Sequence, residues 1–219
     1  MTLLGKHKRA NNIPHTETII NGEKWPSVTE IVGLLNKPWK ESWQRRVGFE
    51  EADRISTEAI NLGTNVHGMI DTFCSEGQLK SCGYTEQEKK LFDSWFDWIH
   101  KTDFVIAARE LKLINQKDKY AGTFDAILIN EKTSDWVLTD WKVSNSDDHT
   151  RILQLAGYAK AYLEQEKRRL KKGMIVRIDK KGKIHVTKIN NLWKYVPLFL
   201  SLRKLYDFVN KKGKYNKVK

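Results

Sequence analysis

The chain has 219 residues and a formal net charge of +12 at pH 7, and 40% of its residues are apolar. This length fits one domain with a sizeable core, and the composition is typical of a soluble globular protein. No apolar run approaches the roughly 18 residues that a transmembrane helix needs, so we expect no such helix and no membrane partner. We therefore expect a single domain over residues 1–219, with flexible basic tails at 1–12 and 211–219.

The basic N-terminus has no long apolar stretch, so we expect no secretory signal. This favours a cytoplasmic protein (in the host cytoplasm for a viral chain), with organellar targeting as an open alternative. Two cysteines, Cys74 and Cys82, are too few for a disulfide scaffold, and we expect reduced thiols. The excess of Lys and Arg favours a polyanionic partner, while a solvated lysine-rich surface is the alternative.

The first predicted elements are short. The stretch 16–20 followed by Asn21 and Gly22 predicts a strand and a tight hairpin turn. Ser27 and Glu30 have the spacing of a capping box, which predicts a short helix that ends at Pro38.

Two tryptophans, Trp39 and Trp43, follow among three basic residues in the segment 39–46. Such a segment would suit a surface that stacks on bases and contacts phosphates. Packing of the tryptophans on the core is the alternative, and we favour it for at least one of them.

Long helices are predicted over residues 50–73 and 86–100. Gly63 and His67 lie one turn apart on the first of these helices and face one direction. Gly63 would let the helix approach the sheet closely, and His67 would ligate a metal. An ordinary helical histidine without a ligand is the alternative.

Alternating apolar runs and polar turns predict an antiparallel meander of three strands, then a helix, an edge hairpin and a final helix. The predicted bounds are 104–114, 120–129 and 136–143 for the meander, 149–170 for the helix, 174–179 and 183–189 for the hairpin, and 191–209 for the final helix.

Acidic residues and a lysine recur in the meander. Asp140 and Lys142 point from the same face of their strand, because side chains alternate with period two, and Trp141 points into the apolar layer behind. Asp125 and Glu110 add carboxylates on the two preceding strands. Three carboxylates beside an ammonium group suit a hard, oxygen-liganded cation and the hydrolysis of a phosphodiester.

Asp125 followed by Asp140-x-Lys142 resembles the signature of the PD-(D/E)XK nucleases. Three flanking segments are similar to motifs of the RecB-type branch and its viral and mitochondrial single-strand exonucleases: Gly63–His67 (GxxxH), Gln154–Tyr158 (QxxxY) and Pro26–Thr29 (PSVT). The resemblance covers roughly residues 25–160. It implies an α/β restriction-endonuclease-like core, with a central mixed β-sheet flanked by helices.

The resemblance also implies the roles of single residues. Catalysis would fall to Lys142, Asp140, Asp125 and Glu110, and a Mg²⁺ or Mn²⁺ site of one or two ions to His67, Asp125, Asp140 and the backbone carbonyl of Trp141. Gln154 and Tyr158 would hold the substrate strand, and Arg151 joins them on the same helix face without support from a motif. Two cysteines cannot hold the four-cysteine iron–sulfur cluster of some relatives, so we expect none.

These observations favour a metal-dependent DNA exonuclease, directed to single-stranded ends in replication, repair or recombination. The chain has no P-loop to drive unwinding, so it would need ready-made ends or a helicase or recombination partner. A structure-specific endonuclease for junctions or flaps on the same core is one alternative. A non-catalytic basic DNA-binding protein is another.

Overall fold

The structure is a computed structural model that describes residues 18–20, 22–35, 38–79 and 83–210. Its strands are β1 (Thr18–Ile20), β2 (Glu23–Trp25), β3 (Phe104–Asn115), β4 (Tyr120–Asn130), β5 (Trp136–Val143), β6 (Lys172–Ile178) and β7 (Ile184–Ile189). Its helices are α1 (Val28–Val32), α2 (Pro38–Val47), α3 (Phe49–Glu76), α4 (Glu86–His100), α5 (Thr150–Glu166) and α6 (Val196–Asn210), with a short 3-10 helix at Leu192–Lys194.

The central sheet has five strands in the order β3-β4-β5-β6-β7. β5 and β6 are parallel and the other neighbours are antiparallel, so the sheet is mixed. α5 is the crossover that a parallel pair requires. The predicted α/β class, with a central mixed sheet flanked by helices, is confirmed.

Each face of the sheet carries its own apolar layer. On one face, α1, α5 and α6 pack around Phe124, Leu138 and Phe199. On the other face, α3 and α4 pack around Leu128 and Trp141. Trp141 is 3% exposed and meets Trp95 and Trp98 edge to face at 5.9 and 6.0 Å, so its predicted inward orientation is confirmed.

Local sequence signals set several element ends. The predicted capping box is present at α1, where Ser27 and Glu30 exchange hydrogen bonds of 3.0 and 2.7 Å. A second box, of Thr85 and Glu88, starts α4 at its predicted first residue. Gly22 turns the β1–β2 hairpin with a φ of +78°, which glycine adopts readily. Asn21 and residues 16 and 17 of the predicted strand lie outside the described residues.

Several predicted helix bounds are wrong. α1 ends at Val32 and Pro38 instead opens α2, where its missing amide proton costs nothing. α5 ends at Glu166 rather than at residue 170, because Lys167 adopts a left-handed φ of +57°. The final helix is broken into a 3-10 turn and α6, since Pro197 lacks the amide proton that a continuous helix from residue 191 would need.

Several remaining segments bear on the predictions. Trp43 is half-buried on α2, whereas the side chain of Trp39 lies outside the described residues, as do Cys82 and both predicted tails. Within the part of the chain that the structure describes, no helix combines the length and apolar character that crossing a membrane requires.

Candidate active site

The site begins where β4 separates from β5. The last paired residues of the two strands are Ala126 and Thr139, and the next pair in that register would be Asp125 and Asp140. β4 stays paired with β3 beyond this point, so the two aspartates lie at a fork in the sheet. The carboxylate of Asp125 closes the fork by accepting a 2.6 Å hydrogen bond from the backbone N–H of Trp141.

Glu110 lies across from Asp125 on the third strand. The register pairs Arg109 with Ala126 and Leu111 with Phe124, which places Glu110 directly opposite Asp125. Glu110 has a φ of +44°, a left-handed conformation that costs a non-glycine residue about 1–3 kcal/mol. Such strain is often found at functional sites.

Both strands change face at this pair. Leu111 and Phe124 pack on the α5 side of the sheet. Ala126 packs on the α3 side, and Arg109 reaches α3 from β3. The pair before Glu110 and Asp125 therefore faces one apolar layer, and the pair after them faces the other. The two carboxylates lie at the point where the β3–β4 ribbon twists.

α3 brings a histidine to the same point. His67 Nδ1 lies 3.8 Å from Asp125 Oδ1, and its side chain is 23% exposed. One potential ligand atom from each of His67, Glu110 and Asp125 lies within 4.8 Å of the others. All three line a small cavity, which has room for one ion or one water molecule.

Asp140 and Lys142 form an ion pair beside this cluster. Lys142 Nζ lies 2.8 Å from Asp140 Oδ1 and 3.8 Å from Asp125 Oδ2. Asp140 is 3% exposed, and its Oδ2 is buried without a hydrogen-bond partner among the described residues. An unpaired buried acceptor of this kind typically costs about 1–3 kcal/mol, a cost that a hydrogen-bond donor or a cation would offset.

The carboxyl groups of Glu110 and Asp140 hold their protons unusually tightly. Burial, followed by the charge of Asp125, raises the pKa of Glu110 to about 7. Burial also raises the pKa of Asp140 to about 6, although Lys142 opposes the shift. Crowded, desolvated carboxylates favour either protonation or a cation. An imidazole with carboxylate oxygens is a donor set that suits Mn²⁺ or Mg²⁺, so the residues present fit a divalent ion.

Lys142 is held in its charged form. Burial opposes the ammonium ion, but the Asp140 and Asp125 carboxylates outweigh burial and raise the lysine's pKa above its ordinary value. Lys142 therefore carries a positive charge at neutral pH and is suited to stabilise negative charge rather than to accept a proton.

Two sequence motifs meet at Tyr158 of α5. A Cβ on Gly122 would lie 2.7 Å from Cε1 of Tyr158, so the tyrosine ring packs directly on the glycine of β4. The Tyr158 side chain hydrogen-bonds to Thr29, and burial raises its pKa. The PSVT segment is joined to the same strand, because Ala121 donates a 3.1 Å hydrogen bond to the carbonyl of Pro26.

The other two predicted substrate residues share this face of α5. Arg151 is half-buried, and burial lowers the pKa of its guanidinium while the charge of Asp140 acts against that shift. Gln154 is half-buried, and its side chain has no hydrogen-bond partner recorded among the described residues. Arg151 and Tyr158 thus lie near enough to Asp140 for its charge to act on the pKa of each, and Gln154 lies between them along α5.

One reading of the GxxxH motif is wrong. A Cβ on Gly63 would meet nothing within 4 Å, so this glycine does not bring α3 close to the sheet. The carbonyl of Trp141, expected from the resemblance to be a ligand, belongs to the strand segment between Asp140 and Lys142, and its ligand role stays a prediction.

Sequence reasoning missed the pair that joins α3 to β3. Arg109 forms an ion pair with Asp71 and donates hydrogen bonds to the Asp71 carbonyl at 3.3 Å and to Ser75 Oγ at 2.7 Å. Arg109 is 8% exposed and precedes Glu110, and Asp71 follows His67 by one helical turn. A charged residue inside an apolar strand, with an acidic residue one turn after a candidate ligand, was the available signal.

Cys74 lines the same cavity from the next turn of α3. Burial raises the pKa of its thiol to about 12, so the thiol is protonated at neutral pH. It therefore contributes packing to the cavity wall.

No protein-family model matches the chain, and no curated protein matches it. Among solved structures, SSO0001 matches with a TM-score of 0.44 and 16% identity, over 94% of this chain and 82% of that one. A candidate exonuclease from Eubacterium rectale matches with a TM-score of 0.37 and 13% identity, over 84% and 66%. The alkaline exonuclease LHK-Exo from Laribacter hongkongensis matches with a TM-score of 0.33 and 14% identity, over 68% and 84%. These similarities are too weak to carry an argument about function.

Proposed function

We propose that the chain is a Mg²⁺- or Mn²⁺-dependent deoxyribonuclease of the PD-(D/E)XK superfamily, and that it acts as an exonuclease on single-stranded DNA ends. The observation that carries this proposal is the fork between β4 and β5. There three residues that could hold a metal ion, His67, Glu110 and Asp125, adjoin the ion pair of the buried Asp140 and the half-buried Lys142.

His67, Glu110 and Asp125 would hold a divalent ion, and the unpaired Oδ2 of Asp140 is a further candidate ligand. When bound, such an ion polarises a phosphate and acidifies a water molecule. Asp125 also keeps the fork in shape, because one of its oxygens is committed to the N–H of Trp141.

Lys142 would stabilise the negative charge that develops on the phosphate during hydrolysis. Its ammonium group is held in place by Asp140 at 2.8 Å and is kept charged by the two aspartates. A preorganised charge in a largely desolvated site is worth more than the same charge in water.

The substrate strand would lie against the N-terminal half of α5. Arg151 has donors suited to a phosphate, and Tyr158 is positioned by Gly122 and Thr29. Gln154 lies between them with an amide that can bond to a base or a sugar. The net charge of +12 would add sequence-independent attraction to DNA.

The choice of an exonuclease rests on the GxxxH and QxxxY motifs, which junction- and flap-cutting relatives usually lack. A DNA-binding protein without catalysis is disfavoured, because buried acidic groups without a cation would repel the substrate phosphate. We further propose that residues 1–219 form a single domain in the cytoplasm, with a helicase or recombination partner that supplies ends.

End-labelled single-stranded DNA, end-labelled duplex and a circular single strand test this proposal in Mg²⁺, Mn²⁺ and EDTA. Wild type is compared with Lys142→Ala and with Lys180→Ala, a matched control that removes an exposed charge from the β6–β7 turn. We expect degradation of linear single strands that depends on metal and Lys142 but not on Lys180. Cutting of the circle would favour the endonuclease alternative, and binding without cleavage in any metal would overturn the proposal.

A further inference from the structure

The segment that joins α5 to β6 is anchored while its charged side chains are exposed. Lys167 ends the helix with its left-handed φ, and the chain then runs to β6 through Leu170, which is 1% exposed. The indole Nε1 of Trp193 donates a 2.7 Å hydrogen bond to the carbonyl of Leu170. The backbone between these points therefore has little freedom to move.

Two arginines in this segment stack on tryptophans. The guanidinium of Arg168 lies 3.3 Å from the ring centroid of Trp136, and that of Arg169 lies 4.3 Å from the ring centroid of Trp193. Stacking on an aromatic face occupies the plane of a guanidinium and leaves its N–H donors at the edge. It also reduces the rotamer entropy that a long side chain loses when it binds a ligand.

Two of the neighbouring cations, Lys167 and Lys172, already have partners. Lys172 forms a 2.5 Å ion pair with Asp135, and Lys167 donates to the carbonyl of Glu164 at 2.6 Å. Across the described ranges of the chain, neither Arg168 nor Arg169 has a recorded hydrogen bond or ion pair. Two exposed guanidinium groups, held in a fixed orientation and with N–H donors not used elsewhere, are suited to bind phosphate oxygens.

We propose that Arg168 and Arg169 form a phosphate-binding pair that holds the DNA backbone at a distance from the reacting bond. The proposal rests on the proposed nuclease function and deepens it. Trp136 begins β5 and precedes Lys142 by six residues (142 − 136), so the pair lies about 20 Å from the candidate catalytic lysine. At about 3.4 Å per phosphate along a stacked strand, and about twice that along an extended one, this spans about three to six nucleotides.

The two sites share one side of the sheet. Trp136 packs against the layer that contains α5, and Tyr158 belongs to the same layer. α5 runs from Thr150 beside the fork to Glu166 beside the arginine pair, so its length spans the distance between the two sites. A substrate of about two nucleotides would reach only one of them.

Fluorescence anisotropy with a labelled 20-nucleotide single strand tests the pair in EDTA, where binding is separated from cleavage. Three double variants are compared with wild type. The first combines Arg168→Ala and Arg169→Ala, the second combines Arg168→Lys and Arg169→Lys, and the third combines Lys180→Ala and Lys181→Ala. The last is the matched control, because it removes two exposed charges from the β6–β7 turn. Thermal melting confirms that each variant is folded.

We expect the double alanine variant to bind about tenfold more weakly and the matched control to change by less than about threefold. The slope of log Kd against the logarithm of the salt concentration should fall by about 1.4, because two contacts to phosphates of a single strand are lost. The double lysine variant should recover much of the affinity, because it restores the charge. A strand of about two nucleotides should lose less affinity in the double alanine variant than the 20-nucleotide strand does, because it cannot engage both sites at once.

Equal weakening in the alanine variant and the matched control would overturn the proposal, as would an unchanged salt dependence. If wild type binds and cleaves DNA while the double alanine variant binds as tightly, the phosphate-binding role of the arginine pair is wrong and the proposed nuclease function is unaffected. If wild type neither binds DNA in EDTA nor cleaves it in Mg²⁺ or Mn²⁺, both proposals fail.

Discussion

Glu110 and Asp125 face each other across β3 and β4 at the position where both strands turn their side chains to the opposite face of the sheet, and Glu110 is held there with a φ of +44°. Backbone strain and repulsion between the carboxylates both disfavour this arrangement in isolation. His67 completes the group from α3. The fold therefore concentrates unfavourable charge at one point, and a bound cation would relieve it.

The first prediction concerns pH and metal. Because the pKa of Glu110 is raised from 4.5 to about 7, the folded protein binds its proton more tightly than the unfolded chain. This stabilising contribution is complete below pH 4.5 and is lost as the pH rises through 7, by up to about 3 kcal/mol. We expect the Tm in EDTA to fall between pH 5 and pH 8, and Mn²⁺ to raise it more at pH 8.

Glu110→Gln is the control for this pH dependence, because it removes the titrating carboxyl at nearly constant shape. In EDTA its Tm should change less between pH 5 and pH 8 than that of wild type, and Mn²⁺ should stabilise it less. A wild-type Tm that rises over this range in EDTA would contradict the assignment.

The second prediction concerns Lys142. Lys142→Ala removes the charge that would stabilise the phosphate during hydrolysis, so kcat should fall about 10²- to 10³-fold. The affinity for DNA in EDTA should change little, because the substitution removes one positive charge from a net charge of +12. Single-turnover cleavage and anisotropy measure the two effects separately. A loss confined to DNA affinity would show that the lysine acts only in binding.

The third prediction concerns the contact between Gly122 and Tyr158. A Cβ on Gly122 would lie 2.7 Å from Cε1 of Tyr158 and 3.2 Å from Cγ2 of Val28, both within a packed layer. Gly122→Ala should therefore cost about 1–3 kcal/mol of unfolding free energy in urea and lower kcat by displacing the tyrosine. Tyr158→Phe should keep the packing, which separates the ring from the hydroxyl that bonds to Thr29.

The fourth prediction concerns Gly63, which provides the matched glycine control. Its Cβ position is open and it lies inside α3, so Gly63→Ala should raise the free energy of unfolding by about 0.5–1 kcal/mol without loss of cleavage. Urea denaturation and the nuclease assay together check this. Loss of cleavage in a stabilised variant would indicate that the substrate approaches the helix at this glycine.

The fifth prediction concerns the ion pair between Arg109 and Asp71. Arg109→Ala leaves a largely buried carboxylate without its cation and should cost about 3 kcal/mol in urea denaturation. Arg109→Lys should recover only part, because an ammonium cannot reproduce the bonds to both Asp71 and Ser75. Arg54→Ala breaks the exposed pairs with Glu51 and Glu58 and should cost less than about 1 kcal/mol.

Much of the fold follows from local signals in the sequence. The start of α4 was predicted to the residue from its apolar face, and Thr85 and Glu88 fix that start by capping the helix within a single turn. The meander and the β6–β7 hairpin follow from alternating patterns separated by polar turns, so their bounds were close. The end of α5 was missed because Lys167 is not a residue that normally marks a left-handed helix end.

The sequence by itself determined which residue types were available for a site: carboxylates on three strands, a lysine two residues from one of them, and a histidine on a preceding helix. Only the tertiary structure decided how they divide. Glu110 and His67 join Asp125, while Asp140 pairs with Lys142. This division depends on where β4 leaves β5 and on the twist of the β3–β4 ribbon, which arise from packing between segments far apart in the chain rather than from any local pattern.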